Sequence, residues 1–290
     1  MILHAYGIFP SGAGAGEELR DFAQSLSAGG WVAALAGCLI VWVVFGWLIR
    51  FLMTRIVPAN RPSSCTNTVT EALVALLVLQ IAGPPVAYLI KLGATLLLPR
   101  QAVECSGGKV AITILVDFLV VAGLWYFAFH RRAGARWWDL GLRGVGSLLL
   151  VMPVAYLSFM PIHFSVVWLW SLLLARLGVP VEPQPILLKS LEEGGASLLV
   201  VAVGAATLVP LLEEILFRGA LYRSLREQVG PAKAAFLSAL VFAACHRSPA
   251  GFGPIFVLAL LLAYAYEKTG SLWAAVLLHS FFNATSFAVA

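Results

Sequence analysis

The chain has 290 residues, of which 61% are hydrophobic and only 11% charged, with a formal net charge of +5 and a mean hydropathy of +0.92. A soluble domain carries about 25% charged residues, so a single large water-soluble core is excluded: too little polar residue remains to cover its surface. The basic residues fall between apolar runs, as in membrane-protein loops and headgroup contacts, and no nucleic-acid partner is implied. The fold class expected is all-α, a polytopic integral membrane protein.

Residues 1 to 30 lack a basic start followed by an apolar core, so no cleavable signal peptide is expected. Ser11 to Gly16 reads as a flexible entry segment. A span needs about 20 mainly apolar residues. Trp31 to Met53 is the first candidate. Ala72 to Leu98 is the second, interrupted by Pro84-Pro85 and carrying Lys91. Val110 to Phe129 is the third and contains Asp117. Trp137-Trp138, beside several arginines, reads as an interfacial anchor. Val145 to Leu177 is long for one span, either a tilted helix or one broken near Pro153 or Pro161; its Trp168 and Trp170 read as packing or interface residues. Ala196 opens the helix that carries Glu213-Glu214. Ala232 to His246, Pro254 to Tyr266 and Leu272 to Ala288 complete about eight spans. Of the four cysteines, Cys38 and Cys245 lie in apolar runs and Cys65 and Cys105 in loops, with no CxxC pair.

Loop charge suggests an orientation. Glu17, Glu18 and Asp21 precede the first span. Arg55 and Arg61 follow it. Arg131, Arg132, Arg136 and Arg143 mark the third loop, Glu182, Glu192 and Glu193 the fourth, and Arg218, Arg223, Arg226 and Lys233 the next. This alternation fits an outside amino terminus, a cytosolic turn at Gly230 and an outward mouth near His246, beside Arg247 and a loop from Pro249 to Pro254.

The chemistry concentrates in the second half. Ionisable residues in an apolar run are costly and functional by default. Glu213 and Glu214 diverge by about 100° on a helix. Glu214 and Arg218 are at i and i+4, the spacing of an intrahelical ion pair, which leaves Glu213 free to face a cavity. The competing reading has both glutamates capping or neutralising a helix end. Gly230-Pro231 is a turn signal. Glu213 lies 17 residues before Gly230 and His246 lies 15 after Pro231, so both reach a similar depth in an antiparallel pair. Phe242 shares the His246 face and walls the imidazole off. His279 and Asn283 share one face of the last helix. A carboxylate and an imidazole can deprotonate a shared water. A second imidazole and an amide can donate to an oxyanion. Together they form a hydrolytic site for an amide bond. Glu213, His246 and His279 are also a possible zinc set, although no HExxH is present.

These residues resemble the CPBP (CaaX protease and bacteriocin-processing, or Abi) intramembrane proteases, which include the type II CaaX prenyl endopeptidases. Glu213-Glu214-Ile215-Leu216-Phe217-Arg218 fits EExxxR, Phe242-Ala243-Ala244-Cys245-His246 fits FxxxH, and His279-Ser280-Phe281-Phe282-Asn283 fits HxxxN. The resemblance runs over residues 139 to 290, beginning at Asp139-Leu140-Gly141-Leu142-Arg143, and sets a catalytic membrane region apart from an amino-terminal region, residues 1 to 138, with about three spans. It implies an active site sunk in the bilayer. It also implies that Glu213 and His246 activate water, that His279 and Asn283 hold the oxyanion, and that Glu214 and Arg218 support the site. Members of the family are often labelled metalloproteases, yet a glutamate mechanism needs no metal, and the metal-free version is the one expected here. The expected protein is a multi-pass protease of a bacterial inner membrane acting on a membrane-associated protein or peptide. Two other classes are a non-proteolytic protein, such as a bacteriocin self-immunity factor or scaffold, and a transporter using Asp117, Lys91 and Glu213.

Overall fold

The structure is a computed structural model that describes residues 15–55, 62, 69–130, 141–142, 144–181 and 185–288. Cys65, Arg61, Trp137-Trp138, Arg131, Arg132, Arg136, Asp139, Leu140, Arg143 and Glu182 lie outside the described residues, as does most of the Ser11 to Gly16 stretch. The described residues are almost wholly helical. Among the described residues, six helices are long and apolar enough to cross a membrane, and two further apolar helices are shorter. The fold is therefore all-α and polytopic. Of the eight expected spans, six meet the span length; the other two, which lead to His246 and hold His279, are the shorter apolar helices.

Helix α1 (Ala15–Ser25) was not foreseen. Its charged residues face out, and Leu19 and Ala23, one turn apart, bury against Leu172 and Ala175. Helix α2 (Ala28–Arg55) is a full span. It docks where Trp42 Nε1 donates to Ser165 Oγ at 2.6 Å.

Helix α3 (Val69–Leu97) runs through Pro84-Pro85 without breaking. Its backbone widens to a π segment over Val78–Ala82, and the prolines then sit in the first turn of the α-helical stretch that follows. Proline has no N–H to return to the fourth residue before it, so Pro84 releases the carbonyl of Gln80. A short helix α4 (Arg100–Glu104) leads to α5 (Ser106–Leu124). Lys91 pairs with Glu104 at 2.8 Å.

Helix α6 (Val145–Arg176) carries both Pro153 and Pro161 inside one unbroken α-helix, so the broken alternative does not occur. At ~1.5 Å per residue it is longer than the ~30 Å hydrocarbon core and must cross at a tilt. Trp170 on it donates from Nε1 to the carbonyl of Pro249 at 2.8 Å and packs on Phe252. Its role is packing.

After α7 (Pro185–Glu193), helix α8 (Gly195–Ala206) ends at Thr207, and α9 (Leu208–Glu214) restarts with Pro210 in its first turn. Helix ends leave their last carbonyls without partners. Three of these are satisfied here: Thr207 Oγ1 takes that of Val203, Thr207 N that of Gly204, and Asn283 Nδ2 that of Ala205. The chain continues as a π segment over Ile215–Tyr222 and then as α10 (Arg223–Val229). Gly230, at φ 79°, makes the turn into α11 (Pro231–Cys245). Helix α12 spans Pro249–Thr269 and α13 spans Leu272–Ala288. The stretch from Pro249 to Pro254, expected as a loop, is the start of α12, opened by Ser248 Oγ accepting from Gly251 N. One buried core, fed by α2, α3, α5, α6 and every helix from α9 to α13, surrounds the motif residues.

Candidate active site

Both motif glutamates lie at the junction of α9 with its π segment. Such π segments are frequent at functional sites. Glu214 is fully buried, whereas the Glu213 side chain is 25% exposed. The expected divergence of the two is thus realised. Arg218 Nη1 donates to Glu214 Oε1 at 2.8 Å, and Arg218 Nη2 donates to the carbonyl of Ala259 at 3.0 Å. Arg218 is 1% exposed, so this pair ties the motif helix to α12 inside the protein. Arg218 therefore belongs to the site and adds nothing to the loop charge used above for orientation. The same holds for Arg226, whose guanidinium grips Glu267 through Nε at 2.7 Å and Nη2 at 2.9 Å while Tyr222 donates to that carboxylate at 2.8 Å.

His279 stands between the two acids. Its Nδ1 is 3.0 Å from Glu214 Oε1, and its Nε2 is 3.7 Å from Glu213 Oε2. Since Glu214 Oε1 is held by a charged guanidinium it remains an acceptor, so Nδ1–H of His279 donates to it. Phe242 is the hub beneath these groups. Its ring meets Phe217 edge-on at 4.8 Å, lies under the Arg218 guanidinium at 4.7 Å, and contacts the rings of His246 at 4.7 Å and His279 at 5.8 Å.

Glu213 opens into a cavity of about 100 Å³, enough for several waters. His246 lines the same cavity, so the depth match across Gly230 brings acid and imidazole together. His246 caps the end of α11, and its Nδ1 lies 2.8 Å from the carbonyl of Phe242. A carbonyl can only accept, so Nδ1 carries the proton and Nε2 is the free acceptor. Four leucines and Phe217 form the apolar lining; Asp117, Gln80 and Cys245 complete the polar part.

Neither His279 nor Asn283 is part of that lining. Asn283 lies 2.7 Å from the Ala205 carbonyl, where it closes the end of α8. Among the described residues, no three His, Cys, Asp or Glu side chains are grouped to hold a metal ion. Glu213, His246 and His279, the set the sequence offers for zinc, are not such a group. Lys91, paired with Glu104, is likewise remote from the Asp117 and Glu213 that share the cavity.

Three polar lining residues stand outside the hydrolytic set that the motifs define. Asp117 is an acid inside a span, placed by the sequence only in the transporter alternative. Cys245 sits inside the second motif as one of its variable positions. Gln80 is a lone amide in an apolar run just ahead of a double proline, and that placement was the available signal.

Residues 195–285 match the family model of the Rce1-like type II CAAX prenyl endopeptidases. The Rce1-like segment starts with α8 and ends within α13, so it contains all three motifs. It is narrower than the resemblance drawn from residue 139, since α6 lies outside it. No curated protein and no solved structure matches the chain. The match supports an endopeptidase working within a membrane, and the six apolar helices make the protein a multi-pass integral membrane one. Asp117 and Gln80 both come from helices outside the Rce1-like segment.

Proposed function

We propose that this protein is an intramembrane endopeptidase in which Glu213 and His246 activate a water molecule against a peptide bond of a membrane-associated protein or peptide. The observation that carries this reading is the shared cavity: the motif carboxylate of Glu213 and the imidazole of His246, with a free Nε2, open on the same space for a few waters, while the other charged motif groups are paired behind them. In the proposed reaction the water donates one proton to Glu213 and hydrogen-bonds through the other to His246 Nε2. Its oxygen attacks the carbonyl carbon. Glu213 then returns the proton to the departing amine as the C–N bond breaks, so atoms and charges balance. His279 keeps Glu213 aimed at the cavity, and Glu214 with Arg218 keeps His279 in place. Donors to the oxyanion were assigned by resemblance to His279 and Asn283, and this remains a proposal for His279, whose Nε2 faces Glu213. No step requires a metal ion.

The test is comparison of membrane proteins cleaved in cells expressing the wild type and Glu213→Gln, followed by cleavage of the best candidate by purified protein in detergent. Cleavage by the wild type and none by the variant is expected. Equal cleavage by both overturns the assignment. A scaffold or immunity function predicts equal biological protection by the two forms.

A further inference from the structure

The tetrahedral intermediate formed by this chemistry needs a hydrogen-bond donor, and the donors within the cavity can be sorted one by one. His246 uses Nδ1–H on the Phe242 carbonyl, and Nε2 is an acceptor. Asp117 and Glu213 accept only while ionised, and the proton that Glu213 takes from the water is committed to the departing amine. The Cys245 thiol is a weak donor. The leucines and Phe217 offer none. That leaves the carboxamide of Gln80.

Its orientation is fixed by a partner. Arg247 Nη2 lies 2.8 Å from Gln80 Oε1 and approaches the Gln80 carbonyl at 3.5 Å. A guanidinium has donors only, so the amide oxygen must face Arg247. The amide nitrogen is turned away from it, and no described residue accepts from that nitrogen. The carbonyl near Arg247 is the one that Pro84 releases by lacking an N–H. Arg247 itself sits at φ 50°, the one non-glycine residue with positive φ among the described residues, directly after His246. Strained backbone of this kind persists where the surroundings hold it and gathers at functional sites. Here it directs the arginine across to α3.

We propose that Gln80 is a catalytic residue that donates from Nε2 to the oxyanion, and that Arg247 is its positioning residue. The proposal rests on the hydrolytic reading above. It also gives the amino-terminal helices a direct part in the chemistry of the Rce1-like segment.

The experiment uses the full-length protein in detergent with a peptide that the wild type cleaves and Glu213→Gln does not. Gln80→Leu and the near-isosteric Gln80→Glu should each lower kcat by about 10²–10³-fold with little change in KM, as for the loss of one oxyanion donor. A phosphinic-peptide analogue of that substrate mimics the tetrahedral species. Its affinity should fall by the same factor in Gln80→Leu, while substrate binding, measured in the inactive Glu213→Gln background, should not change. Arg247→Ala should reduce kcat and add nothing further in the Gln80→Leu background, and Arg247→Lys should restore part of the rate. A Gln80→Glu enzyme that stays folded and keeps kcat within threefold of wild type overturns the proposal. So does an equal loss of substrate and phosphinic-peptide binding. Absence of any cleavage by the wild type instead counts against the proteolytic reading itself.

Discussion

Two neighbouring glutamates should respond in opposite ways to the loss of the carboxylate. Glu213→Gln changes a partly exposed group that has His279 Nε2 at 3.7 Å. The amide fits the same space and can still hydrogen-bond, so the stability change should stay within about 1 kcal/mol. Removing the general base should cost at least 10²–10⁴ in rate, or about 3–5 kcal/mol of transition-state stabilisation at 1.36 kcal/mol per decade. Glu214→Ala removes the carboxylate that pairs with Arg218, whose side chain is 1% exposed. Among the described residues the guanidinium would keep only the Ala259 carbonyl as acceptor, with Nε already lacking one. Breaking one side of a buried pair costs about 3–5 kcal/mol, and His279 loses the acceptor of its Nδ1–H as well. For a chain of this size that corresponds to a fall in melting temperature on the order of 10 °C.

The assay is thermal unfolding in detergent, read by size-exclusion chromatography after heating, in parallel with peptide cleavage at a temperature where all variants are folded. A double variant, Glu214→Gln with Arg218→Met, removes the unpaired charge and should recover most of the stability lost by Glu214→Ala, since replacing both partners of a buried pair is often neutral. The reasoning is refuted if Glu214→Ala melts with the wild type, or if Glu213→Gln melts far below it. It is refuted equally if the double variant is less stable than Glu214→Ala.

Three further outcomes follow from other contacts. Cys245 lines the cavity and Cys38 is buried, so a maleimide should block cleavage in the wild type, and Cys245→Ser should be active and resistant; inhibition of Cys245→Ser to the same extent refutes the placement. Glu267→Gln weakens the grip on Tyr222 and Arg226, and should lower the melting temperature by a few degrees, about 1–2 kcal/mol, without altering the phosphinic-peptide affinity ratio. Glu193, on α7 outside the spans, accepts from Ser197 Oγ and from Ser106 N at the start of α5. These bonds, the Ser197 hydroxyl first, hold its carboxyl below the ordinary glutamate range. A depressed folded-state pKa contributes stability above the unfolded value of about 4.3 and loses it as pH falls through the folded value. The stability difference between wild type and Glu193→Gln should therefore be constant at neutral pH and vanish on acidification below about 4; a difference that grows on acidification refutes the link.

Much of the site follows from helix periodicity alone. The i, i+4 spacing of Glu214 and Arg218 reappears as a 2.8 Å contact despite the π segment between them. The equal distances of Glu213 and His246 from one turn become a shared cavity. Periodicity assigns a face, however, and not a partner. His279 and Asn283 do share a face, yet one meets the glutamates and the other meets the end of α8. The partner of Asn283 arises because α8 stops at Thr207, and nothing in the apolar run marks that break beyond Pro210. Helix α1 was missed because its charged residues dominate the window, although Leu19 and Ala23 carry the one-turn spacing. Two of the eight expected spans are short apolar helices, and hydropathy alone does not show that α11 stops after 15 residues, ended at the residue that carries the imidazole.

The site divides into a closed side and an open side, and the two have different origins. On the closed side, Glu214, Arg218, His279 and Phe242 satisfy one another inside the Rce1-like segment. On the open side, Glu213 and His246 face a wall built by Leu76, Leu79 and Gln80 of α3 and Asp117 of α5, all outside that segment. The motifs alone thus fix the Glu213–His246 pair but leave one flank of it uncovered. A charged carboxylate facing lipid is costly, so the amino-terminal helices are needed first to keep Glu213 in a polar space. Having closed that space, they also decide its shape and its polar groups. The residues that select a substrate should therefore be sought on α3 and α5, where no motif points, and the residues that cleave it on α9 and α11.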